Sequence, residues 1–201
     1  MLYYHGSPTG GLTTLLPHAS EHGKPLVYLS LSKPVAALYL WKRPYTWHTY
    51  GFDPQGVPVY TESFPGQLRR FYHGLSGYLY TCEGDFSADN PTGIPVAAVS
   101  EKPVPVSGCE RVADALALLQ DCAAQGSLRL RYYEELTPEE KQGQRRMVAG
   151  EIRRLRLWQE CSPLAEFIKG AFPSVWEETL RSAGQAGGGS PSSSERRGGE
   201  T

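Results

Sequence analysis

The first half of the chain carries its apolar residues in short runs that proline and glycine interrupt. Apolar and polar positions alternate within several of these runs, which is the pattern of half-buried strands. We therefore predict a series of strands, and one helix with Pro34 in its first turn, where the missing N–H does no harm. The strands are predicted up to His5-Gly6-Ser7 and over Leu26–Ser30, Val57–Glu62, Tyr78–Cys82, Pro95–Ser100 and Pro103–Val106, and the helix over Pro34–Trp41.

Beyond residue 108 the apolar positions recur at the spacing of helices. The tetrapeptide Thr137-Pro138-Glu139-Glu140 is typical of a helix start, with threonine as N-cap, proline at the first position and a glutamate that reaches back. One strand is predicted here, at Leu128–Tyr132. The helices are predicted over Glu110–Ala124, from Thr137 to about Gln159, over Leu164–Ala171 and over Ser174–Arg181.

These patterns predict an α+β protein. A β-rich part spans residues 1–108, and a helical extension packed on it spans residues 109–181. Residues 182–201 are rich in glycine, serine and charge but poor in apolar side chains. Such a segment buries too little surface to offset the entropy of ordering, so we expect a disordered tail.

The composition narrows the class of protein. The 201 residues carry a formal net charge of −1, which gives no overall basic field for nucleic acid. We find no apolar run as long as a membrane span and no secretory signal, so we expect a cytoplasmic protein without a membrane partner. Four widely spaced cysteines are typical of reduced cytosolic thiols. We expect no metal site, because the pair His18 and His22 lacks further ligands.

Candidate chemistry lies in the first forty residues. His5 and Gly6 end the first strand, Tyr28 and Ser30 share one side of the next strand, and Tyr39 follows on the helix. Glycine permits close approach of the backbone, serine hydrogen-bonds an amide, and tyrosine rings stack on a heterocycle. This combination suits a pocket for a flat aromatic amide. Each residue alone is more typical of a turn or of the core.

The ordered motifs YYHGS, VYLS, ALY, GYLY and NPT resemble the ADP-ribosyltransferase superfamily. The resemblance is to the branch with a His-Tyr-acid triad, above all to the small rifampin ADP-ribosyltransferases, and it covers about residues 2–108. It implies a split β-sheet ADP-ribosyltransferase-like domain, with NAD as the substrate. The reaction breaks the bond between nicotinamide and ribose through an oxocarbenium-like state.

The resemblance also implies roles for matching residues. His5 hydrogen-bonds the ribose on the nicotinamide side, and Gly6 offers its backbone to the carboxamide. Ser30 helps to hold the amide, Tyr28 matches the motif tyrosine of the second strand, and Tyr39 matches the aromatic residue that stacks on nicotinamide. The catalytic acid is the weakest match. Asp89, in the loop after the GYLY motif, is the first choice and Asp85 the second, with Glu62 and Glu101 as further alternatives.

The sequence thus predicts NAD-dependent ADP-ribosyl transfer to an unknown protein, nucleic-acid or small-molecule acceptor. One alternative is a non-catalytic nucleotide-binding or interaction module of the same fold. Another, an RNA 2′-phosphotransferase, requires basic residues near the pocket, and the first hundred residues hold few arginines. The aromatic stretch over residues 44–52 is either a pocket wall or a satellite core. The arginine-rich face of the helix after Thr137 is either solvated or a nucleic-acid surface.

Overall fold

The protein divides into two compact units, Met1–Thr137 and Pro138–Thr201. The computed structural model describes residues 1–19, 23–41, 47, 50–86, 90–159 and 161–186. The first unit includes the strands and the helix that follow residue 108. The boundary between the compact units, after Thr137, therefore lies later in the chain than the change of composition at residue 108. Within the described residues, no helix is long and apolar enough to cross a membrane.

The first unit combines ten strands with three helices and one 3-10 turn among its described residues. The strands are β1 (Leu2–Ser7), β2 (Thr14–Leu15), β3 (Val27–Ser30), β4 (Tyr50–Phe52), β5 (Pro58–Thr61), β6 (Gly77–Glu83), β7 (Ala97–Ser100), β8 (Val104–Pro105), β9 (Gly108–Val112) and β10 (Arg129–Arg131). The helices are α1 (Lys33–Leu38), α2 (Gln67–Tyr72) and α3 (Ala115–Ala124), and the 3-10 turn is Tyr133–Glu135.

A five-stranded antiparallel sheet forms the centre of this unit. Its strand order is β7-β3-β1-β6-β9, so β1 is the middle strand. One face of the sheet is covered by the small sheet of β2 and β8. The core on this face comprises Tyr3, Leu15, Val27, Leu29, Tyr80, Cys82, Ala98 and Val104.

Helix α1 covers the opposite face and approaches β1 very closely. A Cβ atom on Gly6 would lie 2.2 Å from the carbonyl oxygen of Ala36. A Cβ atom on the neighbouring Gly77 would lie 2.7 Å from Leu40 and 2.9 Å from the carbonyl oxygen of Ser7. Glycine at residue 6 therefore lets the helix backbone rest directly on the sheet, and glycine at residue 77 leaves room for the Leu40 side chain. The helix itself begins where the side chain of Ser32 accepts a hydrogen bond from the Val35 N–H.

A second sheet has the order β10-β5-β4, with β10 parallel and β4 antiparallel to β5. Aromatic residues pack beside this sheet. Tyr72 of α2 packs edge to face against Tyr60 of β5, and its hydroxyl donates to the carbonyl oxygen of Leu38. Phe71 stacks on Trp41, with ring centroids 4.5 Å apart. These contacts link α2 to the second sheet and to the end of α1.

The second unit contains α4 (Pro138–Arg154), α5 (Pro163–Ala171) and α6 (Pro173–Ala186). Ser162 caps α5, since its hydroxyl oxygen accepts from the Ala165 N–H. Arg145 of α4 forms an ion pair with Glu178 of α6, with 2.8 Å between nitrogen and oxygen. Val148 and Ile152 form the buried stripe of α4, and α5 buries Phe167 and Ile168.

The α+β class is confirmed, as are the existence and type of the predicted strands and helices, with shifted ends. The helix predicted from Glu110 begins only at Ala115, because residues before Asp114 pair with β6 as strand β9. Helix α4 ends at Arg154 rather than near Gln159, and α6 extends to Ala186, into the segment predicted as a tail. Residues 187–201 lie outside the described residues. Strands β2, β4 and β9 and helix α2 were not predicted.

Replacing Gly6 by alanine should destabilise the first unit. The new methyl group collides with the Ala36 carbonyl oxygen, and overpacking of this kind costs about 1–3 kcal/mol. Equilibrium unfolding in guanidinium chloride measures the change. Gly51→Ala in β4 is the matched control, since a Cβ atom there meets nothing within 4 Å. Equal unfolding free energies for the two variants would contradict the close approach of α1.

Asp114→Ala should weaken the first unit by about 1 kcal/mol near pH 7, the usual value of an N-cap. Asp114 caps α3 and also accepts from the Gly74 N–H at 2.9 Å. The pKa of the Asp114 carboxyl lies below its ordinary value, chiefly because of the Gly74 N–H. Further backbone N–H groups and His73 lower it as well. The carboxylate therefore stabilises the fold fully above the unfolded pKa of about 3.9 and loses this effect as pH falls through the lower folded pKa.

Unfolding curves recorded between neutral pH and pH 2 test this expectation. The difference between wild type and Asp114→Ala should shrink below about pH 4. Asp114→Asn keeps a capping oxygen without the charge, so it should lie between the two proteins. A difference that stays constant down to pH 2 would exclude the charge of Asp114 as the cause.

Candidate functional site

The ladder between β1 and β3 has a single rung, and His5 is the next residue of β1. Tyr4 pairs with Ser30, and an extended ladder would bring His5 opposite Leu29 and Gly6 opposite Tyr28. The carbonyl oxygen of Tyr28 instead lies 2.8 Å from Nδ1 of His5. Because a carbonyl only accepts, Nδ1 carries the hydrogen, and the neutral ring then has Nε2 as its acceptor. Beyond this rung β1 and β3 are not paired with each other, and we call this unpaired stretch the opening. The imidazole of His5 is oriented there by the neighbouring strand.

The predicted site residues do not all share one face of the sheet. Residues opposite each other or two apart point to the same side, so Tyr28 and Ser30 lie on the face of Tyr4 and Gly6. His5 points to the other face, opposite Tyr80 of β6. The structure therefore brings His5 to Tyr28 through the backbone carbonyl rather than through the two side chains.

Structural roles account for two of the predicted binding residues. Gly6 lies beneath the Ala36 carbonyl oxygen, so the packing of α1 already requires glycine there. Ser30 is buried, and its hydroxyl oxygen accepts from the Ser32 N–H at 3.0 Å. That bond forms the short turn from β3 into α1. Both residues shape the backbone beside the opening between β1 and β3.

Tyr39 lies at the end of α1 and contacts Tyr50 of β4. The two hydroxyl oxygens are 3.0 Å apart, and the rings meet edge to face with centroids 6.3 Å apart. Burial raises the pKa of Tyr50 above its ordinary value, and the hydrogen bond with Tyr39 raises it further. The Tyr50 hydroxyl therefore stays protonated at neutral pH. Tyr50 belongs to the aromatic stretch, of which residues 42–46, 48 and 49 lie outside the described residues.

The four candidate acids have different surroundings. Asp89, the first choice, lies outside the described residues, whereas Asp85 is exposed. Glu101 is exposed and pairs with Lys24. Only Glu62 is buried among the described candidates, at the end of β5.

Glu62 is a structural clamp. One carboxylate oxygen accepts from the Leu68 N–H at 2.8 Å, and the other accepts from the Tyr133 N–H at 3.1 Å. Its own N–H donates to the carbonyl oxygen of Arg131. The carboxylate therefore joins β5 to the start of α2 and to the turn after β10. Hydrogen bonds to both oxygens explain why a charged side chain is buried here.

The Asn-Pro-Thr motif also forms a local structure. The side-chain nitrogen of Asn90 donates to the carbonyl oxygens of Ile94 and Ala97, and its oxygen accepts from the N–H and the hydroxyl of Thr92. The asparagine thus uses its whole amide to shape the loop that enters β7. This bonding explains the motif without a ligand.

A groove that the sequence did not predict lies between α1, α3 and the β4–β5 turn. Its volume is about 580 Å³, and it is lined by Tyr4, Lys33, Gln55, Glu110, Asp121 and Cys122 among others. Lys33 and Glu110 form an ion pair at 2.7 Å across it. Burial raises the pKa of the Cys122 thiol. The lining comes from several distant segments, so no single motif could have indicated it.

Side chains that could bind a metal ion are scattered over the described part of the chain. No three histidine, cysteine, aspartate or glutamate side chains converge there in a way that could hold a metal ion. All four cysteines are free thiols, Cys82 and Cys122 buried, Cys109 and Cys161 exposed.

Glu62→Gln should reduce the unfolding free energy of the first unit by about 1–3 kcal/mol. The amide NH2 replaces one acceptor oxygen, so a buried backbone N–H loses its partner. Chemical denaturation measures the loss. Glu101→Gln is the matched control, because its ion pair is exposed and contributes little. A Glu62→Gln protein of wild-type stability would mean that the carboxylate is not a clamp.

Comparison of the chain with models of protein families, with curated proteins and with solved structures finds no match. The function is therefore inferred from the residues of this chain.

Proposed function

We propose that the first unit binds NAD at the opening between β1 and β3 and transfers its ADP-ribose to an acceptor, with release of nicotinamide. The observation that carries the proposal is the separation of the two strands after one rung, with His5 held by the Tyr28 carbonyl oxygen. Backbone groups that the ladder does not use can donate and accept hydrogen bonds for a flat ligand. Separate five- and three-stranded sheets also suit a split-sheet fold.

In this proposal His5 binds a ribose hydroxyl through Nε2, because its Nδ1 hydrogen is engaged with Tyr28. The ring position is then set by the protein before the substrate arrives, which lowers the entropy lost on binding. The resemblance gives stacking on the nicotinamide ring to Tyr39, whose hydroxyl is hydrogen-bonded to that of Tyr50. The partly exposed Tyr28 ring lies on the face of the sheet opposite to His5.

The chemistry requires one carboxylate. The bond between ribose C1 and the nicotinamide nitrogen breaks, its electron pair leaves with nicotinamide, and an acceptor atom bonds to C1. A carboxylate stabilises the positive charge on the ribose and takes the proton that the acceptor releases. Glu62 and Glu101 are engaged elsewhere. The distance from the GYLY motif points to the loop after β6, so we assign this role to Asp89 first and Asp85 second.

A non-catalytic module is the second candidate. It is favoured by the engagement of Glu62 in the clamp and by the hydroxyl pair that ties Tyr39 to Tyr50. Such a module would bind NAD or another nucleotide at the opening but would not break the bond to nicotinamide.

His5→Ala should weaken NAD binding about tenfold, the worth of one good hydrogen bond, and should abolish nicotinamide release by the purified protein. Calorimetry measures the binding and chromatography measures nicotinamide, with and without cell lysate as a source of acceptor. His5→Asn keeps a side-chain N–H for the Tyr28 carbonyl oxygen but lacks Nε2, so it should fold normally and still fail. His18→Ala, at an exposed histidine of the same unit, is the control.

The outcomes separate the two candidates. Nicotinamide release that depends on His5 supports the transferase. NAD binding that depends on His5 without release supports the module. If NAD neither binds nor is cleaved, or if the His5 variants equal wild type, both candidates are wrong.

A further inference from the structure

Helix α4 ends in a turn that holds an arginine in a strained conformation. The Leu157 N–H donates to the carbonyl oxygen of Ile152, and the Arg156 N–H donates to that of Arg153. These bonds form a Schellman turn, whose hydrophobic contact is supplied by the buried Leu157 and Ile152. Arg156 occupies the left-handed position of this turn, with φ of 48°. Among the described residues it is the one non-glycine residue with positive φ.

Glycine normally fills this position, because a side chain is strained there. The Arg156 side chain is exposed and contributes nothing to the buried contact of the turn. The fold would therefore be more stable with glycine at residue 156. A strained residue that the fold does not need is a reason to look for a function of its side chain.

Further unpaired positive charge lies along the same helix. Arg146, Gly150 and Arg153 share the solvent-facing side of α4, at the spacing i, i+4 and i+7. Within the described chain, the side chains of Arg146, Arg153 and Arg156 form no ion pair or hydrogen bond, in contrast to Arg145 and Arg154. Residues 145–158 contain five arginines and one glutamate. This side of the second unit is therefore strongly basic, although the whole chain is close to neutral.

An aromatic ring lies beside these charges. Trp158 follows the turn by two residues and is 37% exposed, which is unusual for the largest apolar side chain. Met147 and Leu155 on the same segment are also exposed. An exposed indole thus follows Arg156 by two residues and Arg153 by five, so a stacking surface and positive charges are close together along the chain.

We propose that Arg146, Arg153, Arg156 and Trp158 form a basic–aromatic surface that binds single-stranded nucleic acid. Guanidinium groups pair with phosphates, and an exposed indole stacks on an unpaired base, whatever its identity. The surface lies wholly in the second unit and is independent of the proposed NAD chemistry. A test of this surface is therefore independent of a test of the proposed function.

An anionic membrane fits this surface less well. An interfacial helix inserts a continuous apolar face, but Val148, Ile152 and Leu157 are buried within the protein. The exposed apolar side chains are few and are interspersed with arginines. Base stacking needs only one ring, which the surface has.

The full chain would be titrated with fluorescein-labelled oligonucleotides of mixed sequence and about 16 nucleotides. Single-stranded RNA, single-stranded DNA and the matching duplexes are each used as probes. Each titration is repeated across a range of salt concentrations. Trp158→Ala should lower single-strand affinity roughly tenfold, because one stacked base is lost. Arg156→Gly should reduce the slope of log K against log salt by about 0.7, because one phosphate contact is lost.

Arg156→Gly also provides an internal control for folding. Relief of the strain should raise the melting temperature by roughly 2–4 °C while nucleic-acid binding weakens, a combination that damaged folding does not produce. Arg156→Lys keeps charge and strain and should retain the wild-type salt slope. Arg181→Gln, an exposed charge on α6, should change neither binding nor slope.

Tighter binding of single strands than of duplex, with both expected losses, supports the proposal, and the preferred strand identifies RNA or DNA. Several results would overturn it. These are no binding at low salt, binding to phosphatidylserine vesicles but not to oligonucleotides, equal affinity for duplex, or wild-type binding by Trp158→Ala and Arg156→Gly.

Discussion

The first unit depends on how closely α1 rests on the middle strand of the sheet. Gly6 and Gly77 provide the space, and any side chain at Gly6 would meet the Ala36 carbonyl oxygen. Close packing of this kind tolerates little change in volume. It determines where α1 begins and ends, and hence the turn through Ser30 and Ser32 and the position of Tyr39. The second sheet is reached through that tyrosine, so one close contact positions much of the candidate site.

The separation of β1 and β3 is the second constraint. A sheet normally continues its ladder, because each lost backbone hydrogen bond is costly. Here the His5 imidazole satisfies the Tyr28 carbonyl oxygen that the ladder would have used. The opening is therefore stable without a ligand, and the histidine is oriented at its edge. That combination of an opened sheet and a fixed imidazole is the basis of the proposed nucleotide site.

In the second unit, one residue lowers the stability of the fold. Arg156 keeps a left-handed backbone that glycine would adopt more easily. We relate the arginine at this position to its surroundings, which are the neighbouring arginines without ion pairs and the exposed Trp158. The two units thus carry different candidate sites, one beside an unpaired stretch of the sheet and the other on a basic helix face.

Local signals in the sequence determined many of the elements. Alternation placed the strands around Tyr28 and Tyr80, Pro34 indicated the start of α1, and Thr137-Pro138 indicated the start of α4. The α+β class followed from these patterns. Glu62 could be recognised as a candidate acid, and His5 as a residue at a strand end. These features depend on neighbours within a few positions in the chain, so the sequence contains them.

Tertiary structure alone decided how those residues are used. Residues 110–112 have a helical spacing, yet they form part of a strand because β6 offers them hydrogen bonds from distant residues. Glu62 accepts backbone N–H groups from two separate segments, which turns a candidate acid into a clamp. His5 and Tyr28 point to opposite faces, because the register of β1 and β3 sets their sides. Contacts between distant residues decided these outcomes, and no local pattern in the chain encodes them.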